Sequence, residues 1–304
     1  MDPRHLVQLA VILEKGSITQ ASRHLHLTQP TLTHNMQTLE MQADGTLFER
    51  SRYGVRSTVL GEMLAREGRA ILQRLQDAQE LTARHRRGIR HQLRLGVGPL
   101  IGAALSDTLT HTLLEHFPDL ALMLQSDRPH RLVEQLIDGR HDFVIAPSWL
   151  EHPPPGLERQ LLVHDSLGVF CGSPHPLARR RTLRAGDANG QRWLSLGTAS
   201  PFDQDVRDML AGAGIEGMQV EITVLGEALM LLQTLARGRH LAVLPHFPVR
   251  MLRPRYPLKE LVLPTPVTPR PIYLWYRATH GEDAALTAVR DLLVHEITQL
   301  AEPR

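Results

Sequence analysis

Apolar side chains in the first forty residues fall into three helical stripes: Leu6, Leu9, Ala10 and Leu13, then Ile18, Ala21 and Leu25, then Leu32, Met36 and Leu39. Spacings of three and four residues keep each set on one face of a helix. The first helix is predicted to end near Gly16, and Ser17 offers an N-cap for the second, which runs to about His26. Thr28 caps the third, with Pro30 in its first turn, where a missing N–H costs nothing. Removing the inward stripe of the third helix leaves Gln29, Thr31, Thr33, His34, Asn35, Gln37 and Thr38 outside. The stretch "LFERSRYGVRST" (47–58) predicts two short strands about a turn at Tyr53-Gly54, where glycine can take positive φ. From Val59 to about His85 there is no proline, and Leu64, Gly68, Ile71, Leu75, Ala78 and Thr82 repeat as a short heptad seam.

Beyond residue 92 the pattern changes to alternating strands and helices. "LRLGVG" (93–98), "LALMLQS" (120–126) and "DFVIAPS" (142–148) read as strands, separated by amphipathic segments to His116 and over 129–138. That β-α-β-α-β order predicts a parallel sheet with helices on both faces. "EHPPPG" (151–156) reads as a loop, and a second α/β unit starts at "SLGVFCG" (166–172). It continues through strands at 192–197, 218–225 and 240–245 and helices at about 202–213 and up to Arg237. Residues 258–277 supply two more strands and 281–300 a closing helix. Two passes of chain, near 160–165 and 262–268, connect the units and imply a cleft. Ligands in such folds sit at the carboxyl ends of strands. That rule gathers Pro99, Leu100, Ile101, Ser126, Pro147, Ser148, Phe247 and the run Thr198, Ser200, Pro201, Phe202 around one cavity.

The chain's 304 residues exceed what one core usually holds, so two or three domains are expected. Lys and Arg number 34 against 32 Asp and Glu, which says little about partners. Their distribution says more: residues 1–90 carry 13 basic against 9 acidic groups, the remainder 21 against 23. A basic end on a near-neutral body hints at a polyanion. The one cysteine, Cys171, sits in an apolar run and reads as a buried small hydrophobe, which suits a reducing compartment. The N-terminus lacks the pattern of a signal peptide, and no apolar run is long enough to cross a membrane, so a cytoplasmic protein is expected.

Two short helices joined by a tight turn, with Ala21 permitting close approach, describe a helix-turn-helix. The outer face of the second helix then acquires a meaning. Gln and Asn can pair adenine edges, and short polar side chains let a helix sink into a major groove. A helix meant only for water would more often carry Glu and Lys pairs; a small polar bundle is the bland alternative. Arg50, Arg52 and Arg56 on the strand pair suit phosphates or a minor groove, although a bare charge cluster is often only a solvated loop. At roughly 1.5 Å per residue the long helix runs about 40 Å, more than a 60-residue domain covers, so dimerisation through its seam is expected.

The first 65 residues or so resemble the LysR-type transcriptional regulators, on "GSITQAS" (16–22), "LTQPTLTHNMQTLE" (27–40), "LFER" (47–50) and "GVRSTVLG" (54–61). "DGRHDFVIA" (138–146), "HPLA" (175–178) and "GRHLAVLP" (238–245) extend the resemblance loosely to the rest. It implies an α/β protein with a winged helix-turn-helix over 1–58, a linker helix and hinge over 59–90, and a periplasmic-binding-protein-like effector domain over 91–304. That domain would comprise subdomain I, about 91–162 and 267–304, and subdomain II, about 163–266. It also implies promoter DNA as partner, with RNA polymerase a further one left open, a homodimer through the linker helix and a homotetramer. A small co-inducer in the cleft is expected, and no other cofactor or metal. By position, Gln29, Pro30, Thr31, Thr33 and His34 correspond to groove contacts, and Arg52 and Arg56 to the wing.

The chain departs from the family pattern at several places. Ala21-Ser22 replaces two alanines, Thr33 a serine, Ala43-Asp44 the usual Leu-Gly, and His240 a glycine. Pro99-Leu100-Ile101 stand where hydroxyls commonly help to hold a carboxylate, which favours a larger or more apolar ligand. Two other classes stay in view: an enzyme, although no HExxH, GxSxG, CxxC or P-loop occurs, and a solute receptor without a DNA role.

Overall fold

The computed structural model describes residues 1–51, 54–87, 91–148, 150–180, 182–197 and 201–302. The chain forms two compact units, residues 1–90 with 138–140, and residues 91–137 with 141–304.

The N-terminal unit holds α1 (Pro3–Lys15), α2 (Ile18–His24), α3 (Gln29–Ala43), the hairpin β1 (Phe48–Ser51) and β2 (Gly54–Ser57), and α4 (Val59–Arg87). Local chemistry sets the boundaries. Asp2, Ser17 and Thr28 each accept a hydrogen bond from a first-turn amide, and Gly16 stops α1 at φ 64°. The turn after α2 closes as Leu27 N–H donates to the Ser22 carbonyl, with His26 at φ 53°. Buried Ser22 is tolerated because its hydroxyl donates to the Thr19 carbonyl at 3.0 Å. Asp44 takes the left-handed turn after α3 (φ 49°), a conformation open to Asp as well as Gly. Leu9, Ile12, Ala21, Leu32, Met36, Leu39, Leu47 and Ala65 make the core.

α4 approaches this core too closely for side chains at two points. A Cβ on Gly61 would stand 1.8 Å from the Leu47 carbonyl oxygen, and one on Gly68 would stand 2.0 Å from that of Leu6. Gly68, expected in a seam between copies, therefore serves packing of α4 on α1 within the chain. Leu64 likewise leans on the domain's own core. The cause is amphipathicity: the short domain needs one apolar face of α4 to close it. Ile71 is half-buried, while Leu75 and Ala78 are exposed.

The C-terminal unit contains β3 (His91–Val97), α5 (Pro99–His116), β4 (Leu120–Ser126), α6 (Pro129–Ile137), β5 (Phe143–Pro147), β6 (Leu157–Val163) and β7 (Ser166–Gly172). It continues with α7 (Ala185–Ala188), β8 (Arg192–Ser195), α8 (Pro201–Gly212), β9 (Gln219–Thr223), α9 (Ala228–Ala236), β10 (Leu241–Pro245) and α10 (His246–Leu252). β11 (Leu258–Leu261), β12 (Thr268–Pro269), β13 (Ile272–Arg277) and α11 (Ala284–Ala301) complete it. One sheet has the order β4-β3-β5-β13-β6, the other β11-β7-β10-β8-β9 with β12 also on β7.

Both sheets are mixed, where the sequence pattern predicts a parallel sheet. β3 runs parallel to β4 and β5, but β13 runs antiparallel to β5 and β6. In the other sheet β7 opposes β10, β11 and β12. Periodicity identifies strands, but direction depends on partners far along the chain. β6 and α10 escape the sequence reading altogether: β6 is an edge strand carrying Glu158, Arg159 and Gln160, and α10 follows β10 without a break. The chain passes between the sheets at 164–165 and at 270–271, so residues 268–269 go with the second sheet.

Candidate nucleic-acid face and ligand cavity

The exposed face of α3 is uncharged and mostly polar, with Met41 exposed in its last turn. Leu32, Met36 and Leu39 point inward, while Gln29, Pro30, Thr31, His34 and Gln37 are exposed and Thr33 is half-buried. Not every polar group on this side is free. Thr31 shares its hydroxyl with the cap, 2.7 Å from the Thr28 hydroxyl, and Thr38 donates to the His34 carbonyl at 3.1 Å. Asn35, expected outside, donates to the Gln8 side chain of α1 at 2.9 Å, because helical spacing carries it round to the α1 side. Thr19 of α2 donates to Gln29 Oε1 at 3.4 Å, a long contact. The groups left to face a ligand are Gln29, Thr33, His34 and Gln37. Next to them, Gly16 and the wing are joined: Val55 N–H donates to the Gly16 carbonyl at 2.9 Å, and a Cβ on Gly54 would meet that same oxygen at 2.6 Å. Arg56 is exposed on β2, opposite Glu49 in the strand register. Arg52 lies outside the described residues.

The C-terminal unit has a cavity of about 120 Å³, open to solvent and lined by strand ends and helix starts from both sheets' halves. Pro99, Leu100, Ile101, Pro147 and Phe202 line it, as the strand-end rule predicts. Ser126, Ser148 and Phe247 do not. Ser126 is exposed at the end of β4. The Ser148 hydroxyl is spent inside its own loop, on Leu150 at 3.0 Å and on the Arg159 guanidinium at 2.5 Å. Phe247 is in the first turn of α10, a helix the sequence does not reveal, and its ring enters the core with Ile272 and Leu274. Thr198 and Ser200 lie outside the described residues, and Pro201 opens α8.

The cavity also has a charged wall, which the strand-end rule does not predict. Asp165 and Arg270 stand at the two passes between sheets, joined where the Arg270 amide donates to the Asp165 carbonyl at 2.6 Å. Asp165 Oδ1 accepts from the amides of Ser166 at 2.8 Å and Phe247 at 2.9 Å, while Oδ2 has no partner. Burial raises its carboxyl above the ordinary range, against these amides. Arg270 donates to Asp205 at 2.8 Å and lies over the Phe202 ring at 4.5 Å. Burial brings its pKa down to about 10 despite both acids. No local signal marks these residues in the sequence, because their burial follows only from the two passes of chain between the sheets. His240, the departure before β10, is remote from this wall and bonds Glu221 of β9 at 2.8 Å. Among the described residues no helix is long and apolar enough to cross a membrane.

Against this geometry, two family models match. One described as "Bacterial regulatory helix-turn-helix protein, lysR family" covers residues 3–62, and "LysR substrate binding domain" covers residues 86–298. The chain is 26% identical over 291 residues to the HTH-type transcriptional regulator MetR of Haemophilus influenzae, spanning 95% of this chain and 91% of that one. It is 30% identical over 206 residues to the transcriptional activator protein LysR of Escherichia coli, spanning 66% and 64%. Among solved structures, CbnR, a LysR family transcriptional regulator, superposes with a TM-score of 0.62 at 20% identity over all of both chains. Full-length CbnR complexed with its target DNA gives 0.59 at 20% identity, over 99% of this chain and all of that one.

Proposed function

Since this chain belongs to the LysR family of DNA-binding transcriptional regulators, we propose that it reads promoter DNA through α3 and answers to a small co-inducer held in the C-terminal cavity. α3 enters a major groove with Gln29, Thr33, His34 and Gln37 toward base edges, where amide and hydroxyl groups discriminate donors from acceptors. Pro30 and Thr31 lead the helix in, and Arg56 with Arg52 of the wing holds phosphate or the adjacent minor groove. Two copies joined through the exposed part of α4, Leu75 and Ala78, present two recognition helices to two half-sites. Pairing of such dimers makes a tetramer, acting in the cytoplasm with RNA polymerase as its further partner.

The ligand's part follows from where the cavity lies. Its walls come from both sheets, between which the chain passes at 164–165 and 270–271. A molecule touching both walls favours one angle between them, and a ligand shifts an equilibrium by its differential affinity for the two states.

The observation that carries the DNA reading is the sorting of α3: a fully buried Leu-Met-Leu stripe opposite an exposed, uncharged, hydrogen-bonding face. Fluorescence anisotropy with duplexes that the protein selects from random-sequence DNA tests it. Gln29→Ala, His34→Ala and Gln37→Ala are each expected to cost about 1–3 kcal/mol of specific affinity. Arg56→Ala should weaken all sequences alike and reduce the salt slope by about one. Unchanged affinity and footprint in all three α3 variants would remove this face from the reading.

A further inference from the structure

Arg128 is the cation on the cavity wall that no carboxylate holds. It stands directly before α6, half-buried, and its amide donates to Asp127 Oδ1 at 2.7 Å, which turns the adjacent carboxylate to the backbone. Among the described residues its guanidinium has no hydrogen bond, ion pair or ring contact. The other charges of the wall are accounted for. Arg270 donates to Asp205 at 2.8 Å and lies over Phe202. Asp165 is answered by Arg270 and His246. Its Oδ1 accepts from two amides, and its Oδ2 has no surface open to the cavity. Glu227 is exposed, where water solvates it, and His130 brings no negative charge.

The remaining wall sets what can accompany an anion. Pro99, Leu100, Ile101, Pro147, Leu196 and Phe202 make it mostly hydrocarbon. Pro99 has no N–H, and the Gly98 amide is spent on the Ile145 carbonyl at 3.1 Å, so the start of α5 suits an apolar group. The start of α6 is where the charge stands. A half-buried guanidinium in such surroundings is poorly hydrated, and an anion with paired acceptors is its natural partner. α5 and α9 also begin at the cavity, neither with a side-chain cap, and their partial positive ends add to the same field.

Resting on the reading of this cavity as the effector site, we infer that its ligand is an apolar monocarboxylate, the carboxylate on the Arg128 guanidinium and the hydrocarbon against Pro99, Leu100, Ile101 and Phe202. One uncommitted arginine calls for one negative charge. Its parallel N–H groups match the two oxygens of a carboxylate. An alcohol of the same skeleton leaves the guanidinium without an anion, and an amine sets a second cation beside it.

The test uses the full-length protein and 3-phenylpropionate, 3-phenylpropan-1-ol and 3-phenylpropan-1-amine, measured by calorimetry. The carboxylate is expected to bind about tenfold or more tightly than the alcohol, as a charge-assisted pair should, and the amine more weakly than either. Arg128→Gln should abolish this preference while leaving the alcohol unchanged, and Arg128→Lys should restore part of it. Ala228→Phe and Pro129→Phe fill the cavity from its two halves and should each abolish binding, with thermal unfolding to show which of them is folded. Carboxylate binding that a filler blocks but Arg128→Gln leaves intact overturns the anchor. Tighter binding of the alcohol or the amine overturns the anion, as does silence from all the compounds. Binding that survives both fillers in folded protein overturns the cavity. A carboxylate that binds through Arg128 yet leaves affinity for the selected duplexes unchanged upholds the anion site and removes its role as effector site.

Discussion

Gly68→Ala sets two well-known effects against each other, so its sign alone is informative. Gly68 lies inside α4, where alanine should stabilise the helix by about 1 kcal/mol by restricting the unfolded chain. The packing opposes this. The new Cβ would stand 2.0 Å from the Leu6 carbonyl oxygen, 2.5 Å from the Leu6 carbonyl carbon and 3.0 Å from the Val7 nitrogen. All three are backbone atoms of α1 and cannot rotate away. A carbon and an oxygen need roughly 3.5 Å, so α4 must retreat by more than 1 Å. The retreat loosens Ala65, Leu64 and Leu72, which pack against Leu9 and Ile12. Overpacking of this kind costs about 1–3 kcal/mol, occasionally more, and the lost α1–α4 burial adds to it. The net expectation is a loss of about 2 kcal/mol, lowering the melting temperature of the N-terminal unit by roughly 8–16 °C at the usual scale for small domains. Calorimetry of the full chain measures it, with Gly212→Ala, where a Cβ meets nothing within 4 Å, as the control. A raised melting temperature would mean that helix propensity wins and the close approach is not real. An unchanged melting temperature with an altered dimer would return Gly68 to a seam between copies.

Other expectations follow from the same structure. His280 is buried beside Phe143, and burial, reinforced by Arg277, brings its pKa from 6.5 to about 4. The unfolded chain therefore binds that proton more readily, so its contribution is complete above pH 6.5 and lost as pH falls toward 4, up to about 3 kcal/mol. Urea midpoints between pH 7 and pH 4 should fall less in His280→Phe than in the unaltered protein; equal falls would refute this. Phe247→Ala should cost about 3–5 kcal/mol in unfolding experiments, because its ring is in the core, and a loss under 1 kcal/mol would put it back on the cavity wall. Leu75→Glu should shift sedimentation toward the monomer while leaving the melting of the N-terminal unit within about 0.5 kcal/mol. A dimer that is unaffected would place the association elsewhere.

What can be read from one sequence here is what neighbouring residues decide together. Ser17 and Thr28 as caps, Gly16 as a stop and the Leu32-Met36-Leu39 stripe all rest on contacts within four or five positions, and the structure keeps each of them. The strands at 120–126 and 166–172 stand at the residues the pattern predicts, because a fully apolar or alternating run has few other uses. β6 is different. Glu158, Arg159 and Gln160 interrupt its apolar pattern, and it is a strand because β13, more than a hundred positions later, pairs with it.

The recognition face and the cavity divide in the same way. Gln29, Thr33, His34 and Gln37 are legible because subtraction of a buried stripe is a local operation. Asp165 and Arg270 are not: in the sequence they are two charged residues 105 positions apart, and only the double pass between sheets makes them neighbours. The sequence by itself determined most helices, most strands and the polar face of α3, since short-range sterics and periodic burial are enough for those. Tertiary structure alone decided strand direction, the inward turn of Asn35, the use of Gly68 and the charged wall of the cavity. Each of these depends on which distant surface arrives, and no local pattern encodes that.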